Sequence, residues 1–224
     1  NQKFRLNSNS RILELGAAQG SFVIACRSLG YSCEGIEPSE YALEVSMRLS
    51  KRLGIEANLR KAYAEDLPFD DKSFHIVVAL SVIEHVKEVS RVFSEVFRVL
   101  KLRGAFYFYT TSSLCPMQHE VRFFPFFSWY PSKMKMAILN WARYHRPDIV
   151  GGADAPAINW FTPWKVKRLL RKAGFKAVYD RWDLTRPEEL NFTKRILVTI
   201  LRWNTATRLL GDIIVEGAQY LAIK

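Results

Sequence analysis

Short apolar runs alternate with helical patterns along the first half of the chain. Five runs are predicted as strands: Arg11–Leu15, Tyr31–Ile36, Ile55–Arg60, Phe74–Leu80 and Ala105–Tyr109. Helical periodicity fills the gaps at about Ser21–Leu29, Ser39–Leu53 and Lys87–Leu100. Ser39 is a candidate cap, Gly54 a candidate helix end, and Gly104 is predicted to end the third helical unit. This alternation is typical of a parallel sheet with crossover helices.

The pattern changes after the fifth predicted strand. Residues 115–159 are dense in aromatic and basic side chains and contain several prolines, and only Lys133–Tyr144 has a helical pattern. We interpret this segment as a cap inserted over the carboxyl edge of the sheet, within a single domain of residues 1–224. Regular patterns then return, with a helix at Thr162–Ala173, a strand at Gly174–Trp182, a helix or helix pair at Glu188–Leu210 and a last strand at Ala218–Ile223.

The first predicted strand leads into a loop of small residues. Residues 12–20 read Ile-Leu-Glu-Leu-Gly-Ala-Ala-Gln-Gly and precede a helix, so the backbone can approach a ligand closely and the helix offers free N–H groups. Glu37 closes the second strand, about twenty residues on, where an acid can accept hydrogen bonds from ribose hydroxyls. A dinucleotide fingerprint starting at Gly16 requires glycine where Ala18 and Ser21 stand. The spacing of Glu14, Gly16 and Gly20 indicates a nucleoside cofactor with an amino-acid tail instead, and a turn without a ligand is the alternative.

Further motifs carry a family resemblance. They are Ala64-Glu65-Asp66-Leu67-Pro68-Phe69, Asp71-Lys72-Ser73-Phe74, the strand to Ser81, Glu84-His85-Val86, and Trp160-Phe161-Thr162-Pro163 with the helix to Phe175. Together with the loop, they resemble the class I S-adenosylmethionine-dependent methyltransferases, in the type 11 branch that holds ubiquinone-type O-methyltransferases and glycan- and lipid-modifying relatives. The resemblance covers Arg11–Thr111 and Trp160–Trp182. It implies an α/β, Rossmann-like, seven-stranded mixed sheet, mostly parallel with an antiparallel last strand, and helices on both faces.

The resemblance also implies which residues bind S-adenosyl-L-methionine. Glu14 matches the acid that faces the methionine ammonium, and Glu37 matches the acid that binds the ribose. The remaining candidates are Gly16, Ala18 and Gly20 along the methionine tail, Ala64 with its backbone at adenine, and Ser81 beside the sulfonium. Tyr63 stands where many relatives have an aspartate at the adenine amine, which leaves adenine recognition to the backbone or to the Tyr63 ring.

Two other departures from the family pattern bear on the site. Ala18 replaces the usual middle glycine of the loop, which a small side chain can tolerate. His75 stands where relatives often have aspartate, and we interpret it as a structural residue at the start of a strand. Neither change removes Glu37, so cofactor binding is expected.

Methyl transfer from a sulfonium needs alignment of the nucleophile and exclusion of water, and a hydroxyl acceptor also benefits from a base. His119, at the entry to the insertion, is the preferred base, and an exposed loop histidine is the alternative. Glu84 and His85 follow the fourth strand at the ligand-binding edge, where they serve either in the active site or as a locally packed pair. Ser81 falls where related metal-dependent enzymes have a carboxylate, so no metal is expected.

Charge and composition indicate which classes of binding partner and which compartment suit the chain. The chain of 224 residues carries 33 basic and 22 acidic residues, a net charge of +11, which favours anionic partners. The basic helix at Lys194–Leu210 can lie on anionic lipid, but we prefer the interpretation that it covers a face of the sheet. Three cysteines without metal-type spacing indicate a reducing compartment, and no run of the sequence is long and apolar enough to span a bilayer. We therefore expect a cytoplasmic protein, with peripheral contact to a membrane as a further option.

Three functions remain open from the sequence. The first is a methyltransferase, acting on oxygen, for a small-molecule, sugar or lipid-linked acceptor, which the aromatic insertion favours. The second is an RNA methyltransferase. The net charge permits it, but the sequence shows no appended RNA-binding motif. The third is a cofactor-binding protein without turnover. The oligomeric state is left open.

Overall fold

The computed structural model describes Asn7 and residues 9–116, 121–150 and 157–224. Its strands are β1 (Arg11–Leu15), β2 (Ser32–Ile36), β3 (Leu59–Arg60), β4 (Phe74–Leu80), β5 (Leu100–Thr110), β6 (Ala177–Asp180) and β7 (Ala218–Ile223). Its α-helices are α1 (Ser21–Ser28), α2 (Glu40–Leu53), α3 (Val89–Val99), α4 (Ser132–His145), α5 (Pro163–Lys172), α6 (Arg181–Leu184), α7 (Phe192–Leu201) and α8 (Thr205–Ile214). Short 3₁₀ turns occupy Phe127–Trp129, Pro147–Ile149 and Pro187–Glu189.

All seven strands form one mixed sheet in the order β3-β2-β1-β4-β5-β7-β6. Strands β1 to β5 run parallel, and β7 lies antiparallel between β5 and β6. The predicted seven-stranded, mostly parallel sheet with an antiparallel last strand is therefore confirmed. Because β1 lies between β2 and β4, the loops that follow these three strands meet at one edge of the sheet.

Helices cover both faces of the sheet. On one face, the buried stripe of α3 at Val92, Phe93 and Val96 packs with α5 against Phe106 and Phe108 of β5. On the other face, Val23 of α1 packs with a smaller cluster that includes Ile12, Cys33 and Val78. Apolar burial of this kind supplies most of the driving force for folding.

Helix α2 begins and ends where the sequence predicts. The Ser39 side chain accepts a hydrogen bond from the N–H of Ala42, and Gly54 ends the helix with a left-handed backbone at φ 66°. Both devices satisfy backbone groups that have no partner inside the helix. The predicted cap and end of this helix are confirmed.

Strand β5 is longer than the predicted Ala105–Tyr109, because it begins at Leu100 and passes through Gly104. Its register against β4 jumps from Leu100 opposite Phe74 to Ala105 opposite Ile76, so the residues between them bulge out of the ladder. A Cβ on Gly104 would lie 2.8 Å from the carbonyl oxygen of Lys101. The prediction that Gly104 ends the preceding unit is wrong, since this glycine allows a bulge inside a strand.

Strand β6 is shorter than the predicted Gly174–Trp182. The Asp180 carboxylate accepts hydrogen bonds from the N–H groups of Trp182 and Asp183, and the Asp183 side chain accepts one from the N–H of Asp180. This reciprocal capping box starts α6 at Arg181 and so ends the strand. The error arises because the apolar Trp182 continues the pattern of the strand.

The basic C-terminal segment forms the helix pair α7 and α8. No residue of α7 is buried, whereas α8 buries Gly211. The preferred interpretation, a helix that covers a face of the sheet, is therefore wrong for α7. No helix in the described part of the chain has the length and apolarity needed to cross a bilayer.

The segment predicted as a cap has its own apolar cluster. Val121, Phe127, Leu139, Ala142 and Ile149 pack together, and Trp160 contacts the same cluster. The predicted helix at Lys133–Tyr144 is present as α4. The division of the chain into one domain with a cap at 115–159 stays a prediction.

Candidate functional site

The loop after β1 has a backbone that only small residues accommodate easily. Gly16, Ala18 and Gly20 all have positive φ, at 61°, 46° and 76°. A Cβ on Gly16 would lie 2.6 Å from Cγ2 of Val82, in the loop after β4. Gly16 therefore lets the loops after β1 and β4 approach each other closely.

Glu37 fixes this loop to the end of β2. Its Oε2 accepts a hydrogen bond from the N–H of Ala18 at 2.8 Å, and its Oε1 accepts one from the N–H of Ser39 at 2.9 Å. The N–H of Ala17 also donates to the carbonyl oxygen of Ile36 at 2.9 Å. The carboxylate at the predicted ribose position thus also has a structural role, and each oxygen retains acceptor capacity for a ligand.

Glu14 is a buried acid with one carboxylate oxygen that is not used within the described residues. Its side chain is 5% exposed, and its Oε2 has no hydrogen-bond partner among them. Burial, reinforced by the charge of Glu37, raises the pKa of Glu14 to about 7. A buried carboxylate oxygen without a donor is costly, so a ligand cation that reached it would be bound favourably.

These features fit the methionine and ribose parts of S-adenosylmethionine. The free Oε2 of Glu14 suits an ammonium donor, the small-residue loop admits a close backbone approach, and Glu37 lies at the end of the neighbouring strand. The donors and acceptors are those that an amino-acid tail and two ribose hydroxyls require.

The other cofactor candidates lie on adjacent loops. The N–H of Glu37 donates to the carbonyl oxygen of Arg60 at 3.0 Å, which places the segment with Tyr63 and Ala64 next to the end of β2. Tyr63 is 65% exposed, whereas Ala64 is buried, so the Tyr63 ring is accessible to a planar ligand group. Ser81 is exposed with φ 55°, and its N–H donates to the backbone carbonyl oxygen of Tyr109 at 3.0 Å.

His75 is held at the start of the sheet, away from the carboxyl edge. Its Nδ1 accepts a hydrogen bond from the N–H of Arg11 at 2.9 Å, at the beginning of β1. Desolvation lowers the pKa of His75, with further contributions from Lys101 and Arg11. This agrees with the interpretation of His75 as a structural residue.

Two of the three catalytic candidates lie at the end of β4. Glu84 is buried, and Oγ1 of Thr110 donates to its Oε2 at 2.8 Å. His85 is partly exposed, and its Nδ1 is buried with no hydrogen-bond partner among the described residues. His119 lies outside the described residues. The catalytic role of all three remains a prediction.

Asn159 is a site residue that sequence analysis did not single out. Its backbone N–H donates to the carbonyl oxygen of Glu84 at 3.0 Å, and its Nδ2 donates to that of Val86 at 2.7 Å. Oγ1 of Thr111 donates to the carbonyl oxygen of Asn159 at 2.9 Å. Asn159 therefore ties the loop after β4 to the end of β5. A single asparagine before Trp160 gives no local signal for such a role.

Lys135 is the second residue that the sequence did not indicate. It is 4% exposed, and its Nζ lies 4.0 Å from the centroid of the Trp160 ring. Burial lowers the pKa of Lys135 to about 8. Its position on α4 looks like that of any surface lysine in the sequence, and only the packing of the apolar cluster around α4 reveals it.

Within the described ranges, no group of three or more His, Cys, Asp or Glu residues is arranged to hold a metal ion.

Comparisons with known proteins agree with this geometry. A family model described as a methyltransferase domain matches residues 13–108. The uncharacterized methyltransferase YcgJ of Bacillus subtilis (strain 168) is 32% identical over 97 residues, which are 43% of this chain and 38% of that protein. A ubiquinone biosynthesis O-methyltransferase of Rhizobium etli is 30% identical over 79 residues, 35% of this chain and 32% of that protein. The matched part thus spans less than two thirds of these curated relatives.

A solved structure extends the likeness of fold to the whole chain. The crystal structure of Bacillus subtilis YcgJ aligns with a TM-score of 0.62 at 18% identity and covers 100% of this chain and 95% of that one. This alignment shows a shared fold. The residues that the family model matches include the loop after β1 and the strands next to the candidate site. The methyltransferase-domain match over residues 13–108, the methyltransferase relatives and the shared fold together support the class I S-adenosylmethionine-dependent methyltransferase superfamily for this chain.

Proposed function

We propose that the chain binds S-adenosylmethionine and transfers its methyl group to an oxygen of a small-molecule, sugar or lipid-linked acceptor. The observation that carries this proposal is the buried Glu14, whose Oε2 has no hydrogen-bond partner within the described residues, beside the loop that Glu37 holds. When bound, the cofactor supplies an electrophilic methyl group on a sulfonium.

Each part of the cofactor has a proposed binding residue. Glu14 binds the methionine ammonium, and Glu37 accepts hydrogen bonds from the ribose hydroxyls. The other proposed contacts come from Gly16, Ala18 and Gly20 along the tail, Tyr63 and Ala64 at adenine, and Ser81 beside the sulfonium. Positioning by these groups accounts for most of the expected rate enhancement, because a fixed approach of two reactants replaces a bimolecular encounter.

The acceptor is proposed to bind between the loop after β4 and the 115–159 cap. Asn159 connects these elements, and the partly buried Trp160 and the buried Lys135 contact each other on the cap side. His119 is the proposed base for a hydroxyl acceptor, with Glu84 and His85 as the alternatives. The names of two kinds of relatives, ubiquinone biosynthesis O-methyltransferases and sterol C-methyltransferases, support a lipid-like acceptor.

Calorimetry with S-adenosylmethionine tests the cofactor part of the proposal. Glu37→Ala should abolish measurable binding or weaken it by at least about tenfold, because both the ribose contact and the Ala18 hydrogen bond are lost. Glu34→Ala is the matched control, since Glu34 is also a buried acid of the β2 segment but lies in the middle of the strand and pairs with Arg11 at 2.7 Å. Equal affinity of wild type and Glu37→Ala would contradict the site.

A labelled-methyl assay across cell fractions tests the acceptor. Label in a lipid or glycan fraction supports the proposal, and label in RNA would replace it with the RNA methyltransferase suggested by the net charge of +11. Cofactor binding without transfer to any fraction would indicate a binding protein without turnover. For the base, His119→Ala should slow transfer more than it weakens cofactor binding, and unchanged transfer would exclude His119.

A further inference from the structure

Helix α7 displays an unusually apolar surface to solvent. Phe192, Ile196 and Ile200 recur at every fourth position along one stripe and are 79%, 46% and 51% exposed. Trp203, in the turn between α7 and α8, is 82% exposed. A surface helix normally buries such a stripe, so an exposed one marks an interaction site.

Helix α8, which follows the turn, also has exposed apolar side chains. Leu210 and Ile214 are 56% and 71% exposed. We call the exposed large apolar side chains of α7, the turn and α8 the hairpin surface; its members are Phe192, Ile196, Leu197, Ile200, Trp203, Leu210, Ile213 and Ile214. A shallow groove of about 240 Å³ runs along α7 between Phe192 and Ile200 and is also lined by Arg195.

The exposure does not result from a loosely attached hairpin. Gly211 of α8 packs so closely on Trp182 that a Cβ there would lie 2.4 Å from the indole ring. The Nε1–H of Trp182 donates to Asp212 at 2.8 Å, and Arg208 pairs with Asp183 at 3.1 Å. The inner side of α8 is therefore bound to the fold, and Arg202, directly after α7, donates to the carbonyl oxygen of Thr185 at 3.2 Å.

The charge of α7 and of the turn after it is entirely positive. Between Glu189 and Asp212 the chain has no acidic residue but four basic ones, Lys194, Arg195, Arg202 and Arg208. Arg202 and Arg208 bond to the fold, at Thr185 and Asp183. Lys194 and Arg195 are exposed on α7, and Arg195 lies within the apolar stripe. The surface thus combines exposed cations with aliphatic and aromatic side chains.

We propose that the hairpin surface docks on an anionic lipid bilayer. Aliphatic side chains flanked by tryptophan and phenylalanine suit the boundary between headgroups and acyl chains, and the cations suit lipid phosphates. Nucleic acid matches the charge but gives no favourable environment to Ile196, Leu197 and Ile200. This inference is independent of methyl transfer, because vesicle binding can be measured without any acceptor.

Vesicle flotation of the whole chain tests the proposal. Wild type should float with vesicles of phosphatidylcholine and phosphatidylglycerol and stay in solution with phosphatidylcholine alone. Lys194→Gln with Arg195→Gln should lower the partition coefficient by roughly tenfold or more, given the contribution of each cation near an anionic surface. Lys51→Gln with Arg52→Gln is the matched control, because this adjacent pair is exposed on α2 and changes the net charge equally.

The apolar contribution has a separate test. Ile196→Ser with Ile200→Ser should lower partitioning, whereas Leu102→Ser, at a residue 73% exposed elsewhere, should not. Brominated lipid should quench the fluorescence of wild type more than that of Trp203→Phe. Circular dichroism and thermal melts establish that each variant is folded.

Three outcomes would overturn the proposal. They are absence of flotation with anionic vesicles, equal loss in the Lys51/Arg52 control, and equal quenching of wild type and Trp203→Phe. Concentration-dependent self-association that Ile196→Ser with Ile200→Ser removes, without vesicle binding, would assign the surface to a second copy of the chain. Failure of vesicle binding leaves the cofactor calorimetry unaffected, so the two proposals can fail separately.

Discussion

The carboxylate of Glu37, at the end of β2, accepts a hydrogen bond from the backbone N–H of Ala18 at 2.8 Å, in the loop after β1. Ala18 has a left-handed backbone with φ 46°. The acid predicted to bind a ribose therefore also holds the strained residue of the cofactor loop.

Glu37→Gln is expected to destabilise the protein as well as weaken cofactor binding. The N–H groups of Ala18 and Ser39 donate to different oxygens of Glu37, and glutamine has an NH₂ group in place of one of them, so this group would face one of the two donors. We expect a loss of about 1.5–3 kcal/mol in the free energy of unfolding, measured by urea denaturation without cofactor. Unchanged stability would mean that the two hydrogen bonds contribute nothing to the fold.

Ala18→Gly is expected to stabilise the protein. The alanine Cβ is strained at positive φ, and the Ala18 side chain is exposed, so its removal costs little packing. Glycine also increases the entropy of the unfolded chain, which offsets part of this gain. We expect a net increase of about 0.5–1 kcal/mol in the free energy of unfolding. Thermal melts measure this gain, and Ala25→Gly on the exposed side of α1 serves as a control that should lose stability.

Cofactor affinity should depend on pH through Glu14. Its pKa is raised to about 7, and only the ionised carboxylate attracts an ammonium, so affinity should fall by roughly tenfold per pH unit below 7. Binding of the cofactor should release a proton from the protein in this range. Calorimetry in buffers of different ionisation enthalpy detects that proton.

Glu14→Gln provides the comparison for this pH effect. The variant should bind S-adenosylmethionine more weakly at neutral pH, and the acid limb of its affinity profile should be flat. An acid limb that persists in Glu14→Gln would show that another group titrates.

Lys135 should make stability depend on pH in the alkaline range. Its folded pKa is lowered from 10.5 to about 8 by burial, so the penalty for burying the ammonium is present below pH 8 and disappears as the pH rises towards 10.5. Lys135→Met should be more stable than wild type at pH 7, by about 1–2 kcal/mol after allowance for the contact with Trp160. The difference should shrink between pH 8 and 10. A difference that is constant with pH would contradict the lowered pKa.

Local signals predicted much of the fold. β1, β4 and β7 have the predicted bounds, because each is an apolar run between clear breaks, and α2 is fixed by its own cap and glycine. The errors occur where a partner distant in sequence decides the structure. The bulge in β5 depends on pairing with β4, and the end of β6 depends on the Asp180 cap, which competes with the strand pattern.

The site was predictable to a similar extent. Loop spacing and the family resemblance single out Glu14 and Glu37, and the structure places them at the ends of adjacent strands. Their roles in cofactor binding stay a prediction. The second role of Glu37 and the contacts of Asn159 were not predictable, because they join residues that are distant in sequence. The exposure of α7 was missed because a basic amphipathic pattern is the same whether its apolar side meets a sheet or solvent.

The close approach of Gly16 and Val82 has a consequence for how such an enzyme can diversify. The space of the missing glycine Cβ is filled by a side chain from the loop that leads to the acceptor side. A residue larger than valine at position 82 would clash with the backbone of Gly16, in the loop that we propose binds the methyl donor. If the proposed site is correct, substitutions in the loop after β4 that change the acceptor also affect the loop that binds the donor, and we expect Val82 to tolerate few of them.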